Sequence, residues 1–190
     1  FTAPMLTKTW YHAGQFPPPP LRGAFQDREA ATLGDDLLSR HDPQDDSDEV
    51  IDAPDPARQH AMAHALSGSL RRVEQYGLDD DVHRDVPFSV QEYRYRVREL
   101  AAADPHQPYP RMLPMPLESV EHQYERQADD PRSQHSITLR ADAFGEVTHA
   151  VVIHCARRRR AGDPPPFEDE HEQRWWRDAH DDAQYQHYLN

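Results

Sequence analysis

The sequence is poor in cysteine, in clustered glycine and in long apolar runs, and each shortage excludes a class of protein. A single cysteine, Cys155, excludes an internal disulfide framework and a multi-cysteine zinc site, and its apolar surroundings predict a buried thiol. The seven glycines never cluster into a phosphate-binding or dinucleotide-binding loop. No run approaches the roughly 20 apolar residues of a membrane-spanning helix. With 36% hydrophobic residues in 190, we expect little core per residue.

Basic residues are fewer than acidic ones, 21 against 34, and the acidic residues are unevenly distributed along the chain. The net charge is −13, and residues 27–56 carry eleven Asp or Glu against two Arg, while residues 163–190 carry eight against two. Because a nucleic-acid binder needs a basic face, this balance argues against one. The arginines at positions 157–160 are the contrary signal; we interpret them as a strand end that enters a loop and pairs with the acidic tail. A further hypothesis makes the two acidic segments a docking surface for a basic partner.

The first residues, 1–4, read Phe-Thr-Ala-Pro, which is neither a signal peptide nor a natural initiation site. We therefore expect a segment cut from a longer polypeptide. We treat residues 1–190 as a single segment with a β region over 5–160, an acidic, proline-rich surface excursion over 17–56, and an acidic helical tail over 161–190.

The clearest local pattern is a β-hairpin. Apolar residues alternate with polar ones over residues 136–141 and again over 147–153, with a short turn between. Gly145 supplies the positive φ that this turn needs, and Asp142 can accept hydrogen bonds from turn amides.

Weaker alternation predicts further strands at 70–78, 88–100 and 117–126, with a short one around 8–12. A change of phase inside 88–100 predicts a β-bulge near Gln91 and Glu92. Asp55 and Pro56 predict a helix start, with Gly68 as its stop. Residues 22–56 offer at most a short helix around Leu33–Leu38, and 42–49 are expected to form a solvated loop. A second helix is expected from residue 167 to the end. The fold class is therefore mainly β, in antiparallel hairpins.

Thirteen histidines raise the possibility of a metal site. His60 and His64 stand at i and i+4 on the predicted helix, so both imidazoles could reach one ion, which gives the alternative hypothesis of a small metal-dependent hydrolase. The glutamate base of a metalloprotease helix is missing between them. No nucleophile elbow or cysteine–histidine pair stands in a recognisable context.

Several segments together resemble one family, the B component of bacterial Tc (toxin complex) insecticidal toxins, in the region between its β-propeller and its Rhs/YD-repeat shell. The hairpin itself resembles one YD/Rhs unit: a strand, an Asp, two residues, a Gly and a second strand. The other matching segments are 8–14 (KTWYHAG), 65–79 (ALSGSLRRVEQYGLD), 87–92 (PFSVQE), 117–126 (LESVEHQYER), 130–135 (DPRSQH) and 156–158 (ARR).

The resemblance implies a secreted, non-enzymatic structural role without a cofactor. In that family the B and C components form a closed β-cocoon around a cytotoxic effector, and the A component forms the injection channel. The implied partners are therefore the C component with its effector, and the A component through the rest of the B chain, with neither nucleic acid nor direct membrane contact. No catalytic, cofactor-binding or metal residue carries over. The residues expected to matter structurally are Trp10, Tyr76, Tyr124, Arg126, Asp130, Arg132, Asp142 and Gly145.

Overall fold

The computed structural model describes residues 4–30, 32–79, 82–160, 162–178 and 186–189. These residues form one mainly antiparallel sheet of nine strands with two helices. The strands are β1 (Met5–Tyr11), β2 (Leu37–Asp42), β3 (Ser47–Val50), β4 (Leu70–Gly77), β5 (Ser89–Ala101), β6 (Arg111–Gln123), β7 (Arg132–Ala141), β8 (Val147–His154) and β9 (Tyr188–Leu189), and the helices are α1 (Pro56–Ala65) and α2 (Glu170–Asp178). The predicted fold class is confirmed.

The sheet follows the order β1-β4-β5-β6-β7-β8-β9, and the long strand β5 pairs with three other strands. One edge of β5 pairs along its length with β6. The other edge is shared: the first part pairs with β4, and residues 96–98 pair in parallel with β2, which also pairs with β3. β5 is therefore the strand at which the 17–56 excursion joins the sheet.

The predicted strands are present, with shifted ends and irregularities. β6 begins at Arg111, earlier than predicted, and ends at Gln123. The register of β5 against β6 shifts between Arg94 and Tyr95, so the bulge predicted near Gln91 and Glu92 was misplaced. Pro114 and Pro116 explain why β6 was predicted too short, since proline lacks the backbone donor that a strand normally uses.

Most described residues of the excursion are exposed or half-buried, but the short helix predicted around 33–38 was wrong. Leu37 and Leu38 begin β2 instead, and Leu38 is buried in the main apolar cluster. The expected solvated loop over 42–49 contains the start of β3 and the nearly buried carboxylate of Asp48. Tertiary partners on β5 override the polar local sequence here.

Helix α1 begins and packs as predicted. Asp55 is its N-cap and accepts a hydrogen bond from the amide of Arg58 at 2.9 Å. Its apolar side packs Met62 and Leu66 against Leu38 and Val97, which together form the apolar cluster of the chain.

The C-terminal region differs from the predicted long helix. α2 is described over Glu170–Asp178, and Tyr188–Leu189 form a short strand against β8, so no helix reaches the end of the chain. Residues 179–185 and 190 lie outside the described residues. Cys155 follows β8 and is half-buried rather than buried, and burial raises the pKa of its thiol.

Candidate functional site

Charged residues occupy one face of the sheet, here called the covered face. Glu74 on β4, Val90 on β5 and His122 on β6 are paired neighbours in one row of this face. Residues 19–30, here called the crossing segment, contact this face through Phe25 and Asp27. Since few apolar residues are available, polar contacts fix the crossing segment to the sheet.

Glu74 is the first centre of these contacts and is fully buried. Its carboxylate accepts hydrogen bonds from the Phe25 amide at 2.9 Å, from Arg72 Nε at 2.6 Å and from the Tyr76 hydroxyl at 2.7 Å. Burial, together with the bond to Glu74, raises the pKa of Tyr76. Arg72 also pairs with Glu92 and donates to the Phe25 carbonyl, so one buried guanidinium is shared by two carboxylates and the crossing segment.

Asp27 is the second centre. It accepts hydrogen bonds from the Tyr124 hydroxyl at 2.7 Å and from Arg158 Nη2 at 2.6 Å. Burial acts to raise the pKa of Asp27, but the bonds from Arg158 and Tyr124 outweigh it and hold that pKa below its usual value. Burial, followed by the bond to Asp27, raises the pKa of Tyr124. This group connects the crossing segment to the segment that follows β8.

Asp130 binds the consecutive arginines that follow β8, at positions 157–159. It accepts from Arg157 Nε at 3.1 Å and from the backbone amides of Arg158 and Arg159 at 2.9 and 3.1 Å. The ion pairs of Arg157, Arg158 and Arg159 are with Asp130, Asp27 and Asp129. Among the described residues these three side chains form their ion pairs outside the acidic tail, and Arg159 Nη1 also donates to the Pro164 carbonyl of the tail at 3.1 Å.

A further buried ion pair was missed entirely by sequence reasoning. Arg98 is 0% exposed, and its Nε and Nη2 lie 2.8 and 2.9 Å from the two carboxylate oxygens of Asp48. Its Nη1 donates to the carbonyl of Asp142 at 2.6 Å. Arg98 thereby joins β3 to the hairpin turn. An arginine among apolar strand positions was the only signal in the sequence.

The hairpin turn has the predicted chemistry. Asp142 accepts from the amides of Phe144 and Glu146 at 2.9 Å each, and Gly145 has a φ of +89°. A Cβ at Gly145 would lie 2.9 Å from Cδ2 of Leu113, so the turn also packs closely on β6.

Trp10, Arg126 and Arg132 are the other residues that were expected to matter structurally. Trp10 Nε1 donates to the Arg22 carbonyl at 3.3 Å, at the start of the crossing segment. Arg126 pairs with Asp79 at 2.8 Å and lies 4.6 Å from the Phe88 ring centroid. Arg132 donates to Gln123. Tyr76, Tyr124 and Asp130 thus belong to the contacts around the crossing segment, while Arg126 and Arg132 contact other residues.

His60 and His64 do not assemble a metal centre with other described residues. Their ring centroids are 5.6 Å apart and both residues are exposed on α1. Within the described ranges, no three His, Cys, Asp or Glu side chains are grouped to hold a metal. The hydrolase hypothesis therefore gains no third ligand. None of the described helices is long and apolar enough to cross a membrane.

The chain was compared with protein families and solved structures. A family described as the insecticide toxin TcdB middle/C-terminal region matches residues 61–190. Two crystal structures of TcdB2–TccC3 complexes, one labelled TcdB2-TccC3-TEV, align with TM-scores of 0.85 and 0.83 at 30% and 29% identity. The Photorhabdus luminescens Tc holotoxin pore, in a TccC3 mutant, aligns with a TM-score of 0.82 at 29% identity. No curated protein matches.

The extent of these matches is uneven. Each alignment covers 99% of this chain but only 8–9% of the solved chain. The family match covers more than half of the sequence and includes Tyr76, Tyr124, Asp130 and the hairpin turn. The chain belongs to the insecticide toxin TcdB middle/C-terminal region family.

Proposed function

We propose that the chain is a non-enzymatic segment of the wall of a hollow β-shell, in the B component of a bacterial Tc toxin. The shell, closed by the C component, holds the cytotoxic effector before translocation, and the A component is reached through the rest of the B chain. We also propose that the protein is secreted. Since the chain spans about 9% of its solved relatives, these partners are proposals for the whole polypeptide.

The observation that carries the proposal is the construction of the sheet. Nine described strands form one sheet, a small apolar cluster lies where β2, β5 and α1 meet, and hydrogen bonds and an ion pair fix the crossing segment to the sheet. Such a sheet does not need a second apolar layer over its whole area, which suits a wall with different environments on its two sides. The likeness to TcdB2, solved in complexes with TccC3, supports the same role.

Two neighbouring positions on β8 allow a direct test. Ala150 is exposed and Val151 half-buried, both pair with β7 in regular register, and adjacent strand residues point to opposite faces. In the complete B polypeptide, with Cys155 and every other native cysteine replaced, Ala150→Cys and Val151→Cys are each labelled with a bulky polymer-linked maleimide. Labelling is compared between the B component alone, opened by mild denaturant, and the closed B–C complex.

We expect one cysteine to become protected in the closed complex while the other remains reactive. Equal labelling of both cysteines in the closed complex would contradict the wall role, because neither face would then border an enclosed space.

A further inference from the structure

A cavity of about 460 Å³ lies beside the end of β1, next to the four consecutive prolines at positions 17–20. Its apolar lining comes from the proline segment, β2, β3 and α1, and includes Phe16, Leu38, Val50, Met62 and Leu66. Phe16 and Val50 are 53% and 40% exposed. The cavity therefore opens to the surface beside exposed apolar side chains, which is typical of a site that another molecule covers.

The polar end of the cavity has unused hydrogen-bonding capacity. His12 lines the cavity, is 8% exposed, and its Nε2 has no hydrogen-bond partner among the described residues. Oδ2 of Asp36 lies 3.6 Å from this nitrogen, too far for a hydrogen bond. Oδ1 of Asp36 accepts from the Tyr95 amide at 2.8 Å, which fixes the carboxylate in place. A donor placed between these two acceptors would satisfy both.

The charge of the lining is acidic. Asp35, Asp36 and Asp52 belong to it, Glu92 is paired with Arg72, and the basic lining residue Arg71 acts electrostatically on Asp36 and donates to the Pro19 carbonyl at 2.6 Å. Burial lowers the pKa of His12 and favours its neutral imidazole, which accepts a hydrogen bond through Nε2 in the tautomer protonated at Nδ1. The cavity therefore favours a cation on an apolar stem.

We propose that this cavity is an anchor pocket for a lysine side chain, presented by an apolar segment of another polypeptide region of the toxin assembly. The ammonium group donates to Oδ2 of Asp36 and Nε2 of His12, and the aliphatic stem packs against Leu38 and Met62. Apolar residues that flank the lysine cover Phe16. A compact ammonium with three rotatable donors suits this gap better than a planar guanidinium. The source of the lysine rests on the proposed toxin assembly, whereas binding of a lysine peptide to the cavity does not require a place in a shell wall.

The test uses the complete B polypeptide and the tripeptide acetyl-Leu-Lys-Leu-amide, with binding followed by ligand-observed NMR of the peptide resonances. The matched probe acetyl-Leu-norleucine-Leu-amide keeps the stem and lacks the ammonium. We expect saturable shifts with the lysine probe and binding weaker by about tenfold with the norleucine probe, as for loss of a charged hydrogen bond.

Three variants complete the test. Asp36→Asn keeps an acceptor for the Tyr95 amide and His12→Phe keeps the ring, and each should weaken the lysine probe by about tenfold. Glu49→Gln removes an exposed charge outside the cavity and should change affinity by less than about twofold. The pocket is refuted if the lysine probe gives no saturable shift, if the two probes bind equally, or if Glu49→Gln weakens binding as much as Asp36→Asn.

Discussion

Arg98 is a fully buried arginine whose guanidinium contacts two parts of the chain that are distant in the sequence. It pairs with Asp48 on β3 and donates to the carbonyls of Asp142 and Ala141 at the end of the hairpin arm. The second arginine partner of Asp48 is Arg96, at 3.2 Å, and this contact would remain if Arg98 were replaced. Because a buried carboxylate that loses its partner retains its desolvation cost, this single side chain strongly affects folding.

We predict that Arg98→Met lowers the free energy of unfolding by about 3–5 kcal/mol, as when one partner of a buried ion pair is removed. Arg177→Met, at an exposed arginine of α2, should change it by less than about 0.5 kcal/mol. Urea denaturation of the two variants measures both values. Equal effects would show that the Asp48 contact contributes little.

Gly145→Val should damage folding more than the loss of any histidine. A β-branched residue resists the φ of +89°, and its Cβ would contact Leu113 at 2.9 Å, so we expect a cost of about 1–3 kcal/mol or more. Gly162→Val is the control, since a Cβ there meets nothing within 4 Å. His60→Ala and His64→Ala should each cost only about 0.5 kcal/mol. Thermal unfolding ranks the four variants; a larger loss from either histidine change would contradict this account.

At the scale of elements, the crossing segment should make stability depend on pH through Asp27. The folded pKa of Asp27 lies below its usual 3.8, so its contribution is complete above that value and is lost as pH falls through the folded pKa. We predict that the fall in unfolding free energy between about pH 5 and pH 2 is smaller in Asp27→Asn than in the wild type. Arg158→Met should reduce the fall similarly. Denaturation at a series of pH values tests this prediction. It is refuted if the fall in unfolding free energy at acid pH is the same in both variants as in the wild type.

The strands that the sequence predicted are those whose own residues alternate. The second half of β7 (Ile137, Leu139, Ala141), most of β8 and the Tyr93, Tyr95 and Val97 part of β5 alternate in this way, so local pattern locates these strands. The Asp55 cap and the Met62 and Leu66 stripe located α1 in the same way. β2 and β3 were missed because their pairing depends on Arg96 and Arg98, about fifty positions later in the chain.

The polar contacts were predictable only in part. Tyr76, Tyr124 and Asp130 were selected because they belong to family-like motifs. Glu74, which Tyr76 contacts, and Asp27, which Tyr124 contacts, were not selected. The bond between Arg158 and Asp27 joins residues 131 positions apart, and no local periodicity encodes such a pair. Long-range ion pairs follow from the fold rather than from neighbouring residues.

At the scale of the whole molecule, the acidic excursion is part of the fold. Deletion of residues 27–55 would remove β2, β3, the buried Leu38, the Asp48 partner of Arg98 and the Asp27 partner of Arg158. We predict loss of the cooperative unfolding transition, measured by circular dichroism against temperature. A deletion variant that unfolds cooperatively near the wild-type temperature would instead show that the excursion only adds solubility.

Cryo-electron microscopy of the complete B polypeptide in complex with its C component tests the central claim most directly. We predict that the sheet formed by β1 and β4–β8 lies in the wall of a closed shell, with one face toward the enclosed space and the other toward solvent. A map that places this sheet outside the enclosure, with solvent on both faces, would contradict the proposed role.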